Sequence, residues 1–181
     1  MKEFLEKDEQ EFLLRLARGT LEQYLKTGKR PRARVENKKF LEKRGAFVTL
    51  KVEGHLRGCI GYPLPVKSLY ETIIDMAIAA ATQDYRFSPL TAEELPQTNI
   101  EISVLSLPEP IKDTKEIEVG RHGIIVSKGP HKGLLLPQVP LEYDWDLETY
   151  LRHGCLKAGL DEEEWKRGVD IEVFKAQVFS E

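Results

Sequence analysis

The stretch A-F-V-T-L-K-V-E-G-H-L-R-G-C-I-G, residues 46–61, decides the fold of this chain. Apolar and polar residues alternate on both sides of the pair Glu53-Gly54, and such alternation is typical of β-strands with one buried face. The pair itself suits a tight two-residue connection between two strands. The sequence therefore predicts a β-hairpin with strands at 46–52 and 55–61.

The register of this hairpin predicts which side chains share a face. A two-residue turn pairs Val48 with Cys59 and places His55, Arg57 and Cys59 together on one face. Arg57 would lie about 7 Å from Cys59, where its guanidinium favours the thiolate, whereas burial favours the neutral thiol. His55 would lie about 13 Å away, so it could act as a base for the thiol only if a bulge at Gly58 bent the strand.

Two glycines, Gly58 and Gly61, flank the cysteine. Glycine inside a strand is typical of a bulge, or of close approach by a ligand or another backbone. Glu101, on the polar face of a predicted strand at 99–106, is the expected partner of Arg57. An alternative interpretation stays open, in which the cysteine is a small buried apolar residue and the arginine is an ion-paired strand residue.

The other helices and strands are predicted from apolar spacing and capping signals. The predicted helices are 4–27, 66–83, 146–158 and a short one from Asp161, and the predicted strands are 99–106, 117–127, 133–136 and 169–179. Strands joined mainly by hairpins, with helices in blocks, favour an α+β fold over a doubly wound parallel sheet. Pro108 and Pro110 predict a break in the chain, with lobes at 1–108 and 109–181.

Composition limits the class of protein. The chain has 181 residues and 41% of them are hydrophobic, which is enough for a core without disulfides. Its longest apolar stretch, 73–81, contains Asp75 and is far shorter than the ~20 residues that span a bilayer. Acidic residues follow the N-terminus directly, and two cysteines cannot build a disulfide framework, so we expect a cytoplasmic protein with reduced thiols. Abundant glutamate and scarce asparagine favour a thermophilic source.

The net charge of −3 conceals a segregation of charge. Residues 26–44 carry nine basic and two acidic side chains, net +7, whereas the other 18 basic and 28 acidic residues give net −10. The run K-T-G-K-R-P-R-A-R, which begins at Lys26, could follow a phosphate backbone. No aromatic residue precedes Phe40 in this segment, so the stacking part of a single-strand binding signature is missing. A solvated loop is the alternative interpretation.

Several motifs resemble one known family over nearly the whole chain. They are G-A-F-V-T-L (45–50), L-R-G-C-I-G (56–61), D-Y-R-F-S-P-L (84–90), I-E-I-S-V-L (100–105), H-G-I (122–124), L-L-L-P-Q-V (134–139) and K-A-G-L (157–160). In this order they resemble the AMMECR domain family, whose signature hexapeptide is similar to L-R-G-C-I-G. The resemblance implies an α+β fold of two unequal lobes, with mainly antiparallel sheets, flanking helices and a cleft between the lobes.

The resemblance implies less about activity. No activity is established for the family. In prokaryotes its domain often occurs fused to, or encoded beside, a Memo-type domain and a radical S-adenosylmethionine protein, so these proteins are the implied partners. The resemblance names no cofactor and no substrate. The recurring polar residues carry over as candidate site residues, beside the two glycines of the hexapeptide: Arg57, Cys59, Asp84, Arg86, Glu101, His122, Gln138 and Glu142.

Three functions are compatible with these residues. The first is an enzyme or enzyme component that binds a small anionic substrate, with Cys59 as nucleophile or redox thiol and Arg57 as the anion-binding group. Glu101 would orient the arginine, and Glu142 or His122 would act in acid–base catalysis. The second is a non-enzymatic adaptor, and the third is nucleic-acid binding through the basic segment. No histidine or cysteine spacing predicts a structural zinc site.

Overall fold

The hairpin forms where the sequence predicts it. In this computed structural model, which describes residues 4–181, strand β1 spans Ala46–Val52 and strand β2 spans His55–Tyr62. Glu53 has a φ of 50° and Gly54 a φ of 79°. Two successive positive φ values are those of a type I′ turn, whose twist matches the twist of the flanking strands.

The described residues form helices and antiparallel strands, which confirms the α+β class. Helices α1–α5 span Lys7–Thr27, Lys38–Leu41, Leu69–Thr82, Val139–Glu142 and Leu147–Lys157. Strands β3–β8 span Thr98–Leu105, Glu109–Pro110, Gly123–Lys128, His131–Leu135, Asp170–Phe174 and Ala176–Ser180. Short 3-10 turns lie at Leu95–Gln97, Thr114–Glu116 and Glu164–Lys166.

The chain divides into two units, each with its own four-stranded sheet. The first unit contains the residues up to Leu105 together with Gln177–Glu181, and the second contains Ser106–Ala176. The strand order is β2-β1-β3-β8 in the first sheet and β4-β7-β5-β6 in the second. The strand predicted over 169–179 is therefore two strands that enter different sheets. The last five residues belong to the first unit and not to a lobe at 109–181.

The predicted register is wrong beyond the turn, because β2 contains a bulge. The observed pairs are Val52–His55, Lys51–Leu56, Leu50–Gly58 and Thr49–Cys59. Arg57 is the extra residue between two paired neighbours, which is what defines a bulge. Because a shift of one residue exchanges the two faces of a strand, Cys59 lies opposite Thr49. The sequence predicted that Cys59 pairs with Val48 and shares a face with it, and the structure shows neither.

Helix α3 covers the buried face of the first sheet. Its run of small residues at 77–81 is buried, and small side chains let a helix lie close to a sheet. A Cβ atom built on Gly58 would lie only 2.1 Å from the carbonyl oxygen of Ala80. The close approach that the sequence predicted at Gly58 is therefore made by the backbone of α3, and only glycine fits there.

The second unit has a smaller core under α5, which contacts β5 and β6. Tyr150 is fully buried, and its hydroxyl lies 3.2 Å from the carbonyl oxygens of His122 and Leu135. Cys155 is also fully buried, in the core of this unit. Burial raises the pKa of its thiol.

Several predicted segments differ at their ends, and the strand predicted over 117–127 begins only at Gly123. Helix α1 begins three residues later than predicted but stops as expected at Gly28, which caps it with a φ of 68°. The helix predicted from Asp161 is only a 3-10 turn. Within residues 4–181 we find no helix of the length and apolar character that crossing a membrane requires.

The contact between Gly58 and α3 predicts a large effect of one added methyl group. We expect Gly58→Ala to lower the free energy of unfolding by about 3 kcal/mol, because the helix must move away from β2. Chemical denaturation followed by circular dichroism measures the change. Gly19→Ala in α1 is the matched control, since nothing lies within 4 Å of the added Cβ, and it should stabilise the helix by about 0.5–1 kcal/mol. Equal stability of the two variants would contradict this packing.

Candidate functional site around Cys59

The bulge places Cys59 on the face of the first sheet that is opposite to α3. Strand pairing aligns Cys59, Thr49 and Glu101 in one row across β2, β1 and β3. Strands are spaced by nearly 5 Å, so the two ends of the row are about 10 Å apart at the backbone. We call this surface the thiol face, and its half-buried side chains are Phe47, Thr49, Lys51, Cys59, Glu101 and Ser103.

The thiol of Cys59 has a dedicated hydrogen-bond donor. The hydroxyl of Thr49 donates to the Cys59 Sγ atom across 3.1 Å. A hydroxyl donor stabilises negative charge on sulfur, and the thiolate is the reactive form of cysteine. Thr49 was not among the predicted site residues. The position opposite Cys59 in the hairpin could have identified it. That position is occupied by Thr49 in the bulged register and by Val48 in the register that the sequence predicted.

Asp84 fixes the backbone of Cys59. It follows α3 directly, is 5% exposed, and its Oδ2 atom accepts the backbone N–H of Cys59 at 2.9 Å. The guanidinium of Arg86 donates to both carboxylate oxygens, from Nε at 2.9 Å and from Nη2 at 2.7 Å. Asp84 and Arg86 therefore form an ion pair, which also tethers the loop after α3 to β2.

The charges of this cluster support one another. The Arg86 side chain holds the pKa of the Asp84 carboxyl well below its ordinary range, and the backbone N–H of Cys59 contributes in the same direction. The pKa of Arg86 is raised in turn, chiefly by its hydrogen bond to Asp84 and also by the nearby Cys59 sulfur when it is charged. Arg86 Nη2 and the backbone N–H of Cys59 bind the same oxygen of Asp84, so the guanidinium lies close to the backbone of Cys59.

Arg57 is not the cation that serves Cys59. Its Nε and Nη2 atoms donate to the Glu94 carboxylate at 3.1 and 3.2 Å, and its Nη1 atom donates to the carbonyl oxygen of Ser88 at 2.9 Å. All three guanidinium nitrogens are used to hold the 88–94 segment to β2. The backbone N–H of Thr91 and then Arg57 lower the pKa of Glu94. Sequence reasoning missed Glu94, because nothing in its spacing marks it as a partner.

Glu101 does not orient Arg57 either. Its carboxylate pairs with Lys51 at 2.8 Å. Lys51 lies two residues after Thr49 on β1, so it is the next side chain on the thiol face. The predicted Arg57–Glu101 pair assumed the unbulged register. Once Arg57 is the bulged residue, its side chain leaves the thiol face and meets Glu94 instead.

The second glycine of the hexapeptide makes room for an aromatic ring. A Cβ atom on Gly61 would lie 2.3 Å from the ring of Phe47 and 2.6 Å from the carbonyl oxygen of Ala46. Gly61 therefore lets Phe47 lie flat over β2 beside the row that contains Cys59. Both hexapeptide glycines are explained by protein contacts, without a ligand.

Three predicted site residues belong to the second unit. His122 is buried, and its Nδ1 atom accepts the backbone N–H of Glu118 at 3.1 Å, so a neutral ring carries its proton on Nε2. Gln138 and Glu142 are exposed at the two ends of the short helix α4. No hydrogen bond or ion pair in residues 4–181 joins His122 to either of the other two.

The residues around Cys59 can also be compared with the ligands of a metal site. Over residues 4–181, no group of three or more histidine, cysteine, aspartate or glutamate side chains is arranged to hold a metal ion. Cys59 is surrounded instead by a hydroxyl, a backbone-bound carboxylate and a guanidinium. This donor set suits a reactive thiol better than a metal ligand.

Comparison with known proteins supports the family resemblance. The family model AMMECR1 matches residues 14–179. This chain belongs to the AMMECR1 family. Protein MK0488 of Methanopyrus kandleri is 47% identical over 191 residues, which cover 100% of this chain and 92% of that protein. Protein PYRAB00100 of Pyrococcus abyssi is 46% identical, with 94% and 89% covered.

A solved structure supports the fold of this AMMECR1-family chain. The crystal structure of protein PH0010 from Pyrococcus horikoshii matches with a TM-score of 0.79 and 44% sequence identity. The match covers 94% of this chain and 90% of that one. Similarity at this level shows a shared α+β fold over nearly the whole length.

The Asp84 cluster predicts a stability effect that depends on pH. Asp84→Asn should lower the free energy of unfolding by about 2 kcal/mol at pH 7, because Arg86 and the Cys59 N–H lose a charged acceptor. The pKa of Asp84 is lower in the folded chain than the value of about 3.9 in an unfolded one, so the ionised carboxylate stabilises the fold above about pH 4. That stabilisation is lost as the pH falls further.

Urea denaturation from pH 7 down to pH 2 measures this difference. The gap between wild type and Asp84→Asn should narrow below about pH 4. Asp170→Asn is the matched control, since Asp170 is exposed and makes no side-chain hydrogen bond or ion pair with the rest of the described chain. A gap that stayed constant with pH would mean that Asp84 is not ionised in the folded protein.

Proposed function

We propose that this AMMECR1-family protein is an enzyme, or the thiol-bearing component of one, in which Cys59 acts on a small anionic molecule bound at the thiol face. The observation that carries the proposal is the hydrogen bond from the Thr49 hydroxyl to the Cys59 sulfur at 3.1 Å. The two thiols differ in their exposure: Cys59 is half-buried, whereas Cys155 is fully buried in the core of the second unit.

The backbone around the thiol supports a reactive role. Gly58 is held against α3 on one side of Cys59, and the Cys59 N–H is held by Asp84. The sulfur is therefore positioned by contacts to two elements rather than by a mobile loop. Reactive groups on rigid elements keep the geometry that nucleophilic attack requires.

Arg86 is the residue that we assign to anion binding, in place of Arg57. The Arg86 side chain is 44% exposed and uses Nε and Nη2 for Asp84. No other hydrogen bond in residues 4–181 uses its Nη1 atom, so one edge of the guanidinium is available to a ligand. Guanidinium groups bind carboxylates and phosphates through such edges.

An adaptor without catalytic activity is the competing function. It requires only that the hexapeptide pack the hairpin, and the packing at Gly58 and Gly61 agrees with that role. The hydrogen bond to the sulfur and the exposed guanidinium near it favour the enzyme. Full retention of cellular activity in a Cys59→Ser strain would favour the adaptor instead.

The reactivity of the two thiols can be compared directly. We expect native protein to take up one iodoacetamide label, on Cys59, while Cys155 reacts only after denaturation because it is buried and its pKa is raised. Mass spectrometry counts and locates the labels. Cys59→Ser should then stay unlabelled and Cys155→Ser should behave like the wild type. An unreactive Cys59 in folded protein would refute the proposed function.

The Thr49 contact can be tested in the same assay. Thr49→Val keeps the shape of the side chain but removes the donor, so the alkylation rate of Cys59 at pH 7 should fall by about threefold to tenfold. Thr114→Val, in the second unit, is the control for a threonine-to-valine change. A rate that Thr49→Val leaves unchanged would show that the hydroxyl does not activate the sulfur.

The role of Arg86 predicts a preference for anionic reagents. Native Cys59 should react faster with iodoacetate, relative to iodoacetamide, than Cys59 in unfolded protein does, because the guanidinium attracts the carboxylate. Arg86→Gln should lower this ratio by about threefold or more, and Arg86→Lys should largely keep it because the charge remains. Arg57→Gln is expected to leave the ratio unchanged. A ratio that depends on Arg57 and not on Arg86 would overturn the assignment.

A further inference from the structure

The segment between α1 and α2 presents cations along one side of the first unit. Residues 31–36 alternate between half-buried and exposed: Pro31, Ala33 and Val35 face inward, and Arg32, Arg34 and Glu36 face outward. Such alternation is typical of extended chain, in which outward side chains follow one another at about 7 Å. The arginines therefore form a linear row instead of a cluster.

Most of these cations are not used to stabilise the fold. Arg30 pairs with Asp75, Lys39 with Glu9 and Arg44 with Glu42. The others form no ion pair with any residue in 4–181, and they are Lys26, Lys29, Arg32, Arg34, Lys38 and Lys43. A row of unpaired cations is the electrostatic footprint of a polyanion partner.

A groove with an aromatic wall lies beside this row. It has a volume of about 400 Å³ and lies between the first turns of α1 and residues 34–40. Phe12 and Phe40 stack in it, with ring centroids 4.9 Å apart and planes 12° from parallel. Phe40 is buried and Phe12 is half-buried. The aromatic partner that the linear sequence lacked before Phe40 is therefore supplied by α1.

Hydrogen bonds to one side chain of α1 join the two walls of the groove. Glu9 accepts the side-chain N–H of Asn37 at 3.0 Å and the ammonium of Lys39 at 2.7 Å. Burial raises the pKa of Glu9, but the hydrogen bonds from Lys39, Asn37 and the Glu6 backbone, together with the charge of Lys39, lower it below its usual value. The width of the groove is thus fixed by a charged clamp.

Charged side chains of both signs line the groove. Arg15 and Arg34 contribute guanidinium groups, and Arg15 also pairs with Glu11 at 3.9 Å. Beside the clamp, Asp8 and Glu36 contribute carboxylates.

We propose that this surface binds single-stranded nucleic acid, with phosphates along Arg34, Arg32 and Lys29 and one base stacked on Phe12 in the groove. A guanidinium of the groove receives a phosphate, and a carboxylate of the groove accepts hydrogen bonds from the amino group of the base. This function is separate from the chemistry proposed at Cys59. Stacking on Phe12 requires a base that has left its own stack, so single strands fit better than a duplex, and an acidic polypeptide has no ring to place there.

Fluorescence anisotropy with labelled (dC)12 tests the proposal on the full chain, at 20–200 mM salt. Binding should weaken with salt, and Arg32→Ala/Arg34→Ala should make the slope of log K against log [salt] shallower by about 1.4, the value for two phosphate contacts on a single strand. Lys112→Ala/Lys115→Ala removes two exposed, unpaired cations from the second unit and should leave the slope unchanged.

The stacking contact is tested separately from charge. Phe12→Leu should weaken binding of (dC)12 by about tenfold with no change of slope, whereas Phe179→Leu, at another half-buried ring of the first unit, should have no effect. An abasic 12-mer should bind wild type and Phe12→Leu equally. Circular dichroism confirms that each variant is folded, and Cys59→Ser should bind like the wild type.

Three results would overturn the proposal. One is the absence of binding at 20 mM salt. Another is equal affinity for (dC)12 and a 12-base-pair duplex, with no effect of Phe12→Leu. The third is equal binding of poly-glutamate of the same charge, which would show a general polyanion surface or a site for an acidic peptide.

Discussion

The close contact between Gly58 and the Ala80 carbonyl is the constraint on which the first unit depends. It lets α3 lie directly on β2, and it fixes which face of β2 is buried. With Gly58 turned toward the helix, the next residue, Cys59, has to point to the opposite face. A strand without the bulge at Arg57 would reverse this and bury the thiol under α3. The packing of the core therefore decides that the sulfur lies on the thiol face.

The residues that follow α3 contact β2 a second time. Asp84 lies four residues after Ala80 and two residues beyond the end of α3. Its carboxylate binds the Cys59 N–H just as the Ala80 carbonyl meets Gly58. A nearly buried carboxylate is costly without partners. Arg86 and the backbone N–H groups supply them, and they bring a guanidinium to the thiol as a consequence.

The sequence predicted the fold better than the site, for a local reason. The turn at Glu53-Gly54, the α+β class and most helices and strands follow from alternation, apolar spacing and glycine caps, which act over a few residues. The bulge has no comparable signal, since Arg57 fits an ordinary strand as well. One unrecognised extra residue then assigned Cys59 to the wrong face and gave Arg57 the wrong partner. Gly58 carried the relevant hint, because a strand glycine is typical of both a bulge and a close approach.

Partners distant in sequence were the other part that could not be predicted. Glu94 for Arg57 and Lys51 for Glu101 are set by which strands are neighbours, and spacing along the chain does not encode that. The end of the chain shows the same limit. One continuous apolar pattern over 169–179 is divided between two sheets, since local alternation specifies a strand but not its neighbours.

The charge of the basic segment separates into two roles once its partners are known. Arg30, Lys39 and Arg44 hold the connection between α1 and α2 to the rest of the first unit through ion pairs. Six exposed cations and the carboxylate of Glu36 then remain without an ion-pair partner in residues 4–181. The cations repel one another, so this surface opposes folding to a small extent. Folding alone does not require this surface, because the ion pairs and the inward side chains already fix the connection. The thiol site rests on α3 and β2, whereas the groove rests on α1 and the 34–40 segment.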